Sequence, residues 1–577
     1  ANYPPHDYYD TAVRLGRQDA GPRTVTAPAY QLGDTQTFFA NDTEVTAELQ
    51  AITPNIYMWV DTNLSLDSTD LQTAAQALED TYYPRLTQLV GDLWQPGMDN
   101  DPHFTILHLN DFGENSELGY FISSDELPRS IDAESNEQEM IYLNMDELDL
   151  GSDLYYGTLI HEIQHLIQWY VDSNETTWMD EGIAQMAELH QGFETSTADD
   201  YLIDTHIPLN LWNHEDDDLV YAHYSAGYLL MVYFWEQVGE TAMQELARHP
   251  ADGLASVSQV LAGHQPDISL YDFLGNWMAA NFLDDPQAGS TYHYNNISLD
   301  RPDTFDRINQ SQRADGYETL NQLNQFGVHY IDLNVNGPTT ISFVGDTIVD
   351  LVPAPPNGDM VWYVPSYDNL NAQLTATFDL RDLDQATLEF WAWYDLETDY
   401  DYAYIAVSND NGANWELILP DHGVAGEYGP AFNGASQDAD DQINGWVPES
   451  IPLTRYLGQE ILIRFEVVTD SSLSYRSFAL DEIAIPELNY LHNTDIDDGR
   501  WQANGFVRTT PQLPQLWQLR LLSVGGNQAE VIPLDLDYYN QGLWTFNLAT
   551  GQDHVIAIMP QTLFRENQAT YWLRVQE

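Results

Sequence analysis

The sequence predicts a multidomain protein in which an α+β module is followed by all-β domains of the jelly-roll or sandwich type. Between about residues 153 and 290, apolar residues recur at the three-to-four spacing of amphipathic helices. After about residue 325 the pattern changes to alternation, as in Leu388 to Glu397 and Ile461 to Val467. The chain has 577 residues, which by length alone corresponds to roughly three or four domains.

Five segments follow in order along the chain. We predict an N-terminal arm, a β-rich part of the first module, a helical part of that module, a jelly-roll-like domain and a last β domain, at residues 1–30, 31–152, 153–325, 326–490 and 491–577. The β-rich part contains one predicted helix, Leu71 to Val90, between strand-like runs. A hairpin signal, Asn409 to Gly412, lies in the first all-β segment.

Charge excludes one class of partner. The chain carries 91 acidic and 18 basic side chains, for a formal net charge of -73, and every basic residue is Arg. Such a surface repels nucleic acid and anionic lipid. With 43% apolar residues the chain is too hydrophobic for a disordered acidic tail. We therefore expect a folded protein, favour a monomer, and expect no nucleic-acid partner.

The ends and the hydropathy of the chain bear on its location. No apolar run approaches the ~20 residues of a transmembrane helix. The chain starts at Ala1 without a basic leader, which predicts a mature secreted protein whose signal peptide has been removed. There is no Cys, so disulfides, thiol nucleophiles and thiolate metal sites are excluded.

The chemistry is concentrated at His161-Glu162-Ile163-Gln164-His165. Two imidazoles at i and i+4 lie one turn apart on the same helical face, where both can reach one metal ion. Glu162 lies at the edge of that face, where it can take a proton from a metal-bound water. The alternative is a surface helix with two solvated His side chains.

A second acidic motif supplies a third ligand. Within Trp178-Met179-Asp180-Glu181-Gly182, Glu181 follows His165 after fifteen intervening residues. Because His₂Glu is a known zinc set, Glu181 is the natural third ligand. Glu188 lies seven residues further, almost two helical turns, and could accept the free N–H of a ligand His. A solvated helix carboxylate is the equal alternative for Glu188.

Two further segments suggest how substrate is handled. The strand-like run Glu139 to Met145 precedes the helix with the His pair, and an edge strand there could bind an extended peptide, which makes Glu139, Met140 and Tyr142 candidate substrate-binding residues. Tyr224 opens an apolar helix and could donate a hydrogen bond to an oxyanion beside the metal, with Tyr221 and His223 as competitors.

These motifs resemble those of the gluzincin zinc metallopeptidases, most closely the hyicolysin-type secreted peptidases, over about residues 30–290. The resemblance implies a zincin-like catalytic domain, Zn²⁺ bound by His161, His165 and Glu181, and Glu162 as the general base. Tyr224 matches by position the Tyr that stabilises the tetrahedral intermediate in the aminopeptidase branch. The spacing from His165 to Glu181 is shorter than in thermolysin-like and aminopeptidase gluzincins.

The β region from about 330 to 487 resembles the jelly-roll domains of immune inhibitor A-type metalloproteases, on the runs Tyr404 to Asp410 and Phe478 to Ile483. Such domains often hold Ca²⁺, which implies Asp399, Asp401 and Asp481 as candidate calcium ligands because this ion prefers hard carboxylate oxygens. Most Asp side chains in so acidic a chain must be merely solvated.

The sequence therefore predicts a secreted zinc metalloendopeptidase that hydrolyses peptide bonds in protein or peptide substrates. The segment Gln138 to Tyr142 lacks the Gly-Ala-Met-Glu-Asn signature of the aminopeptidase branch, which favours endopeptidase action. A zinc aminopeptidase is the alternative, since Glu139 could capture a substrate amino terminus. A second alternative is a non-catalytic surface-binding protein on a peptidase-like scaffold.

Overall fold

The computed structural model describes residues 3–16, 20–41, 43–110, 112, 117–194, 196–212, 219–304, 306–437, 445–471, 475–525, 528–563 and 568–577. Within them the N-terminal arm contains one short helix, α1 (Tyr8–Leu15), capped by the side chain of Asp7. The arm lies against the β region: the Arg14 guanidinium is 2.7 Å from the Glu466 carboxylate.

A six-stranded mixed sheet follows the arm, with the order β1-β2-β3-β4-β6-β5. Its strands are β1 (Thr35–Ala40), β2 (Thr43–Ile52), β3 (Ile56–Asp61), β4 (Phe104–Leu109), β5 (Gly119–Phe121) and β6 (Met140–Asn144). The central strands β3, β4 and β6 run parallel and are fully buried, because helices cover one face and a cluster that includes Phe38 and Phe112 covers the other. The short strand β5 pairs antiparallel with β6 and forms the edge.

The predicted helix Leu71 to Val90 is two helices, α2 (Ser68–Ala77) and α3 (Tyr83–Val90), joined by a π-helical turn, Leu78–Tyr82. Pro84 stands at the start of α3, and proline has no N–H to continue the helical ladder. The apolar positions still form one buried stripe, which includes Leu71, Leu78 and Leu86. Periodicity thus identified the helical segment, and the proline accounts for its interruption.

A block of helices packs on that sheet. Its members are α4 (Asp153–Val171), α5 (Thr177–Gln191), α6 (Asp199–Ile203), α7 (Val220–Val238), α8 (Glu240–Leu246), α9 (Gly253–His264) and α10 (Leu270–Leu283). Ser152 caps α4 by accepting a hydrogen bond from the Tyr155 N–H, and Gly192 ends α5 in a left-handed conformation. Helices α4, α5 and α7 pack together around one core that continues into the sheet.

Two β-sandwiches make up most of the rest. After α10 the chain forms β7 (Asp306–Asn309), α11 (Gln310–Asp315), β8 (Tyr317–Leu323), β9 (His329–Asn334), β10 (Gly337–Gly345) and β11 (Ile348–Asp350). The next strands are β12 (Val361–Val364), β13 (Asn371–Asp379), β14 (Thr387–Asp395), β15 (Tyr402–Ser408), β16 (Glu416–Leu417), β17 (Val424–Ala425), β18 (Pro430–Ala431), β19 (Val447–Pro452), β20 (Glu460–Val468), β21 (Ser477–Ile485), β22 (Tyr490–His492), β23 (Gln502–Asn504), β24 (Val507–Thr509) and β25 (Gln512–Pro514). The last are β26 (Trp517–Gly525), β27 (Gln528–Pro533), β28 (Gln541–Leu548), β29 (Asp553–Pro560) and β30 (Ala569–Gln576).

One sandwich is inserted into the other. Strands β12 to β24 supply two sheets, β19-β14-β21-β12-β24 and β16-β15-β20-β13-β23, that share one apolar core. The outer sandwich joins β7 to β10 with β26 to β30, in the sheets β28-β10-β30-β8 and β27-β26-β29-β9-β7. The pair β11 and β25 forms the stem between them.

This arrangement differs from the predicted boundaries near residues 325 and 490. Strands β9 and β10, placed by prediction in the jelly-roll segment, pair with strands more than 190 residues later. Alternation along a strand shows which residues face the core but carries no information on which distant strand is its partner. Within the described ranges, no helix has the length and apolar character needed to cross a membrane.

Candidate metal centre

Helices α4 and α5 bring the two His and the Glu of the sequence motifs together. The Glu181 Oε2 atom lies 3.1 Å from His161 Nε2 and 3.5 Å from His165 Nε2. One ligand atom from each of the three side chains lies within 4.8 Å of the others. The i, i+4 spacing places the two imidazoles one turn apart, and the tight loop between α4 and α5 turns Glu181 toward them.

A second carboxylate contacts the other nitrogen of each imidazole. Glu188 Oε1 lies 2.8 Å from His161 Nδ1, and Asp180 Oδ2 lies 3.0 Å from His165 Nδ1. The Gln164 amide donates to the other oxygen of Asp180 at 3.1 Å. A carboxylate at Nδ1 holds the proton there and leaves the Nε2 lone pair free to bind a cation.

The contact of Glu188 with His161 fits one of the two equal alternatives that the sequence left for this side chain, and sequence reasoning missed Asp180. The signal was available, since Asp180 directly precedes Glu181 at the start of α5, one helical position away from the third candidate ligand. What the sequence did not show is the rotation of α5 about its axis, which brings Asp180 to His165 and Glu188 to His161. That rotation is set by packing against α4 and α7.

The charges of the pocket are strongly coupled. Burial lowers the pKa of the His161 ring, but hydrogen bonds with Glu181 and Glu188 outweigh burial and raise it to about 10. Burial acts to raise the pKa of Glu181, but the two imidazoles outweigh it and hold that pKa far below its usual range. The pocket therefore stabilises positive charge beside Glu181, which is the electrostatic requirement of a cation site.

Glu162 lies on α4 next to the ligand cluster and is 6% exposed. Burial raises its pKa to about 7, against the opposing effect of the two imidazoles. Strand β5 passes directly over this side chain: a Cβ added to Gly119 would lie 3.1 Å from Glu162 Cγ and 2.8 Å from the Tyr142 carbonyl. Only glycine lets β5 approach Glu162 this closely.

Tyr224 extends from α7 into the same pocket. Its hydroxyl lies 3.5 Å from Glu181 Oε1, and its ring packs edge-on against Trp212 at 4.6 Å between centroids. The charge of Glu181, and then burial, raise the pKa of the phenol, so it stays protonated and able to donate. Of its two competitors, Tyr221 is 64% exposed, and His223 is buried and stacked on Trp212.

Two glycines let α5 and α7 cross in close contact. A Cβ on Gly182 would lie 2.6 Å from the Gly227 carbonyl oxygen, and a Cβ on Gly227 would lie 2.4 Å from the Trp178 carbonyl oxygen. Gly182 follows Glu181 directly, and Gly227 lies three residues after Tyr224. The crossing therefore sets the distance between Glu181 and Tyr224.

The predicted substrate strand is not at the edge. Strand β6, with Met140 and Tyr142, pairs with β4 on one side and β5 on the other, so its main chain has no free edge. The candidate side chains are buried: Tyr142 donates to Asp125 Oδ2 at 2.5 Å, and Glu139, just before β6, accepts from the Met98 N–H. Strand β5 caps β6 and takes the edge position instead, which the short run Gly119–Phe121 did not reveal in the sequence.

The three candidate calcium ligands do not converge. Asp399 is exposed, and Asp481 accepts from the Thr494 hydroxyl at 3.0 Å in another part of the domain. Asp401 instead lies with Glu397 and Asp470, and one oxygen from each lies within 4.8 Å of the others. Calcium binding by Asp401 stays a prediction, and the neighbouring carboxylates that could share the ion are Glu397 and Asp470.

Comparisons with known proteins connect the chain to metalloproteases. Residues 345–511 match the family model described as the immune inhibitor A-like MAM domain. The neutral metalloprotease ShpI of Staphylococcus hyicus is 24% identical over 284 residues, covering 44% of this chain and 62% of that protein. Immune inhibitor A of Bacillus thuringiensis subsp. alesti is 26% identical over 161 residues, 28% of this chain and 20% of that protein.

A third relative is the pre-pro-metalloprotease PrtV of Vibrio cholerae serotype O1, 28% identical over 131 residues. That match covers 23% of this chain and 13% of PrtV, so the chain spans less than two thirds of each of these relatives. The resemblances predicted from the sequence are confirmed: the chain is related to metalloproteases, and its inserted sandwich lies within the matched MAM-domain segment.

Proposed function

We propose that this chain is a secreted zinc-dependent metalloendopeptidase. One observation carries the proposal: two imidazole nitrogens and a carboxylate oxygen converge within 4.8 Å, while a separate carboxylate holds the opposite nitrogen of each ring. Solvated surface histidines do not show this double arrangement. Secretion fits the metalloprotease relatives and the acidic surface.

The residues fit zinc better than a harder cation. Two imidazoles and one carboxylate form a His₂Glu set, which is a known three-residue ligand set for catalytic zinc. His161, His165 and Glu181 would hold the ion. When bound, zinc would supply Lewis-acid chemistry, polarising the substrate carbonyl and making the attacking water more acidic.

Glu162 is the proton carrier of the proposed reaction. It takes a proton from the water that attacks the peptide carbonyl carbon, and it returns a proton to the leaving amine nitrogen as the C–N bond breaks. Its burial helps, because a carboxylate removed from water binds a proton more strongly, as the raised pKa of about 7 indicates. Its position beneath β5 keeps it beside any peptide aligned on that strand.

Tyr224 would stabilise the charge that develops on the carbonyl oxygen. Its phenol is protonated, lies at the ligand cluster and points at the oxygen of Glu181 across 3.5 Å. A donor fixed in place before the reaction stabilises the developing oxyanion without reorganisation. The close crossing of α5 and α7 at Gly182 and Gly227 maintains that position.

Endopeptidase action is favoured over aminopeptidase action by the position of Glu139. That carboxylate was the candidate for capturing a substrate amino terminus, but it is 3% exposed and accepts a hydrogen bond from the Met98 N–H. Strand β5 lies at the edge of the sheet, where its main-chain groups can pair with an extended peptide without recognising a peptide terminus.

Glu162→Gln tests the proposal. The variant should bind zinc as the wild type does, because no ligand is changed, but lose hydrolysis of casein because the amide cannot carry the proton. Zinc content by atomic spectroscopy and casein turnover are the measurements. Unchanged casein turnover in Glu162→Gln would contradict the role of Glu162 as the proton carrier. If the wild-type protein binds no zinc and cleaves no substrate, the result favours the surface-binding alternative.

Exo and endo action are separated by paired substrates. We expect cleavage of amino-blocked peptides at internal bonds, with cut sites mapped by mass spectrometry. A strong preference for a free aminoacyl substrate over its blocked counterpart would instead establish an aminopeptidase.

A further inference from the structure

The start of helix α5 contacts the inserted sandwich. The hydroxyl of Thr177, the first residue of α5, donates a hydrogen bond of 2.9 Å to Asp368 Oδ2. Asp368 lies between strands β12 and β13 of that sandwich, 191 residues later in the chain. Both side chains are half-buried. A carboxylate of one domain thus holds the end of the helix that carries Asp180 and Glu181.

Helix α5 begins without a side-chain cap of its own. The N-cap residue, Thr176, makes no capping hydrogen bond, because its hydroxyl donates to Glu175 Oε1 at 3.0 Å. The first N–H groups of a helix have no partner within the helix, and the helix dipole favours a carboxylate near that end. Asp368 supplies such a carboxylate from the inserted sandwich.

The backbone on both sides of Asp368 is fixed by hydrogen bonds. The Thr469 hydroxyl, just after β20, donates to the carbonyl oxygen of Tyr367 at 2.7 Å. The N-terminal arm holds the other side, where the His6 N–H donates to the carbonyl oxygen of Asn369 at 2.6 Å. Because its backbone is already ordered, Asp368 can hold the start of α5 at little additional cost in conformational entropy.

Packing between the two domains is incomplete beside this contact. A cavity of about 60 Å³ lies there, and its lining includes Thr176 and Trp178 on one side and Tyr363 and Tyr367 on the other. Side chains that face each other across a cavity fix the distance between two domains less firmly than packed side chains do. The position of the first turn of α5 therefore depends more on its polar contact than it would in a closely packed interface.

We propose that Asp368 is a positioning residue of the metal centre and acts through Thr177. Glu181 follows Thr177 by four residues, so the two lie one turn apart on the same face of α5, ~6 Å along the helix axis. A shift of the first turn is transmitted to Glu181 and to Asp180, the partner of His165 Nδ1. The inference rests on the proposed function, because it assigns to the inserted sandwich the positioning of one zinc ligand.

Thr177→Val tests the inference on the full chain, because valine has the shape of threonine but no hydroxyl. We expect the zinc dissociation constant to rise and kcat for an amino-blocked peptide to fall by about three- to tenfold each, less than the ~10–100-fold typical of a direct partner of a metal ligand. KM should stay within about twofold, since the substrate strand β5 is unchanged. Thr177→Ser keeps the hydroxyl and should behave as the wild type.

Asp368→Ala tests the other side of the same hydrogen bond. It should match Thr177→Val, and the double variant should lose no more than either single variant, because the two side chains act through one contact. The metal-free protein supplies a readout that does not depend on activity. Hydrogen exchange measured by mass spectrometry should be faster in the first turn of α5 in both single variants than in the wild type.

Asp553→Asn is the matched control. It weakens the 3.1 Å contact between Asp553 and Arg301, which joins the segment after α10 to the outer sandwich and in which α5 takes no part. Zinc affinity, kcat and hydrogen exchange in α5 should stay at wild-type values. Wild-type zinc affinity and kcat in Thr177→Val, whatever its melting temperature, would overturn the inference, and so would equal losses in Thr177→Ser. A wild-type protein that binds no zinc would instead overturn the proposed function, and this inference with it.

Discussion

Two groups of metal-type ligands converge in the described parts of the chain, and they differ in what surrounds them. In the first, His161, His165 and Glu181 sit among paired charges, since each imidazole also contacts an outer carboxylate. In the second, Glu397, Asp401 and Asp470, the members are all carboxylates. Burial and mutual repulsion raise the pKa of Glu397 to about 7 and that of Asp401 well above its usual value.

This difference gives a criterion for recognising a metal site in an acidic protein. With 91 acidic residues, carboxylates meet by chance, and proximity alone identifies nothing. Around His161 and His165 the hydrogen bonds assign a role to every ring nitrogen, which a chance cluster does not do. We therefore expect substitutions in the first group to abolish a function and those in the second to change stability.

The largest effect is expected for Glu181→Gln. The amide is a poor replacement for a carboxylate ligand, so zinc affinity and peptide hydrolysis should both fall to background. Zinc content and casein turnover are measured together, with Glu240→Gln, an exposed carboxylate on α8, as the control. If the Glu181 variant kept full activity and normal zinc content, the first group would not be a functional zinc site, and it would then not differ in function from the second group.

The next effect is expected for Asp180→Asn. This side chain contacts His165 Nδ1 at 3.0 Å, and loss of such an outer partner typically costs ~10–100-fold in metal affinity or activity. The exposed pair of His264 and Glu245, 2.9 Å apart, supplies the control Glu245→Gln. Equal loss of activity in both variants would show that the effect comes from general charge and not from orientation of a ligand.

Much of the geometry of the candidate metal centre could be predicted from sequence because it depends on local spacing. His161 and His165 lie on one helix, and Glu181 and Glu188 on the next, so helical periodicity placed them correctly relative to each other. The edge position of β5 and the inserted sandwich could not be predicted, since they depend on pairing between distant strands. The calcium candidates failed to converge for the same reason: Asp401 meets Asp470 only through the fold.

The crossing of α5 and α7 can be broken by one methyl group. The added Cβ in Gly227→Ala would lie 2.4 Å from the Trp178 carbonyl oxygen, so the helices must separate and Tyr224 must move from Glu181. Overpacking of this kind costs ~1–3 kcal/mol of stability, and turnover should fall as well. Gly263→Ala is the control, because nothing lies within 4 Å of its Cβ on α9. A wild-type melting temperature and turnover for Gly227→Ala would contradict the close crossing.

The last effect is on stability alone and concerns the carboxylates Glu397, Asp401 and Asp470 of the inserted sandwich. Folding raises the pKa of Asp401, so the stability that its protonated form contributes is present in acid and is lost as the pH rises through that raised pKa. Calcium should relieve the repulsion above neutral pH, and saturation at about 100 times its dissociation constant would add ~2.7 kcal/mol, or a few degrees in melting temperature.

Asp401→Asn separates a bound ion from general screening. Calcium should raise the melting temperature of the wild type and of Asp399→Asn, the exposed neighbour that the cluster excludes, but not that of Asp401→Asn. A net charge of -73 also makes any salt stabilising, so each measurement is paired with NaCl at equal ionic strength. An equal rise in melting temperature in all three proteins would mean that calcium acts only by screening. The second group would then be a chance cluster of carboxylates in an acidic protein and not a calcium site.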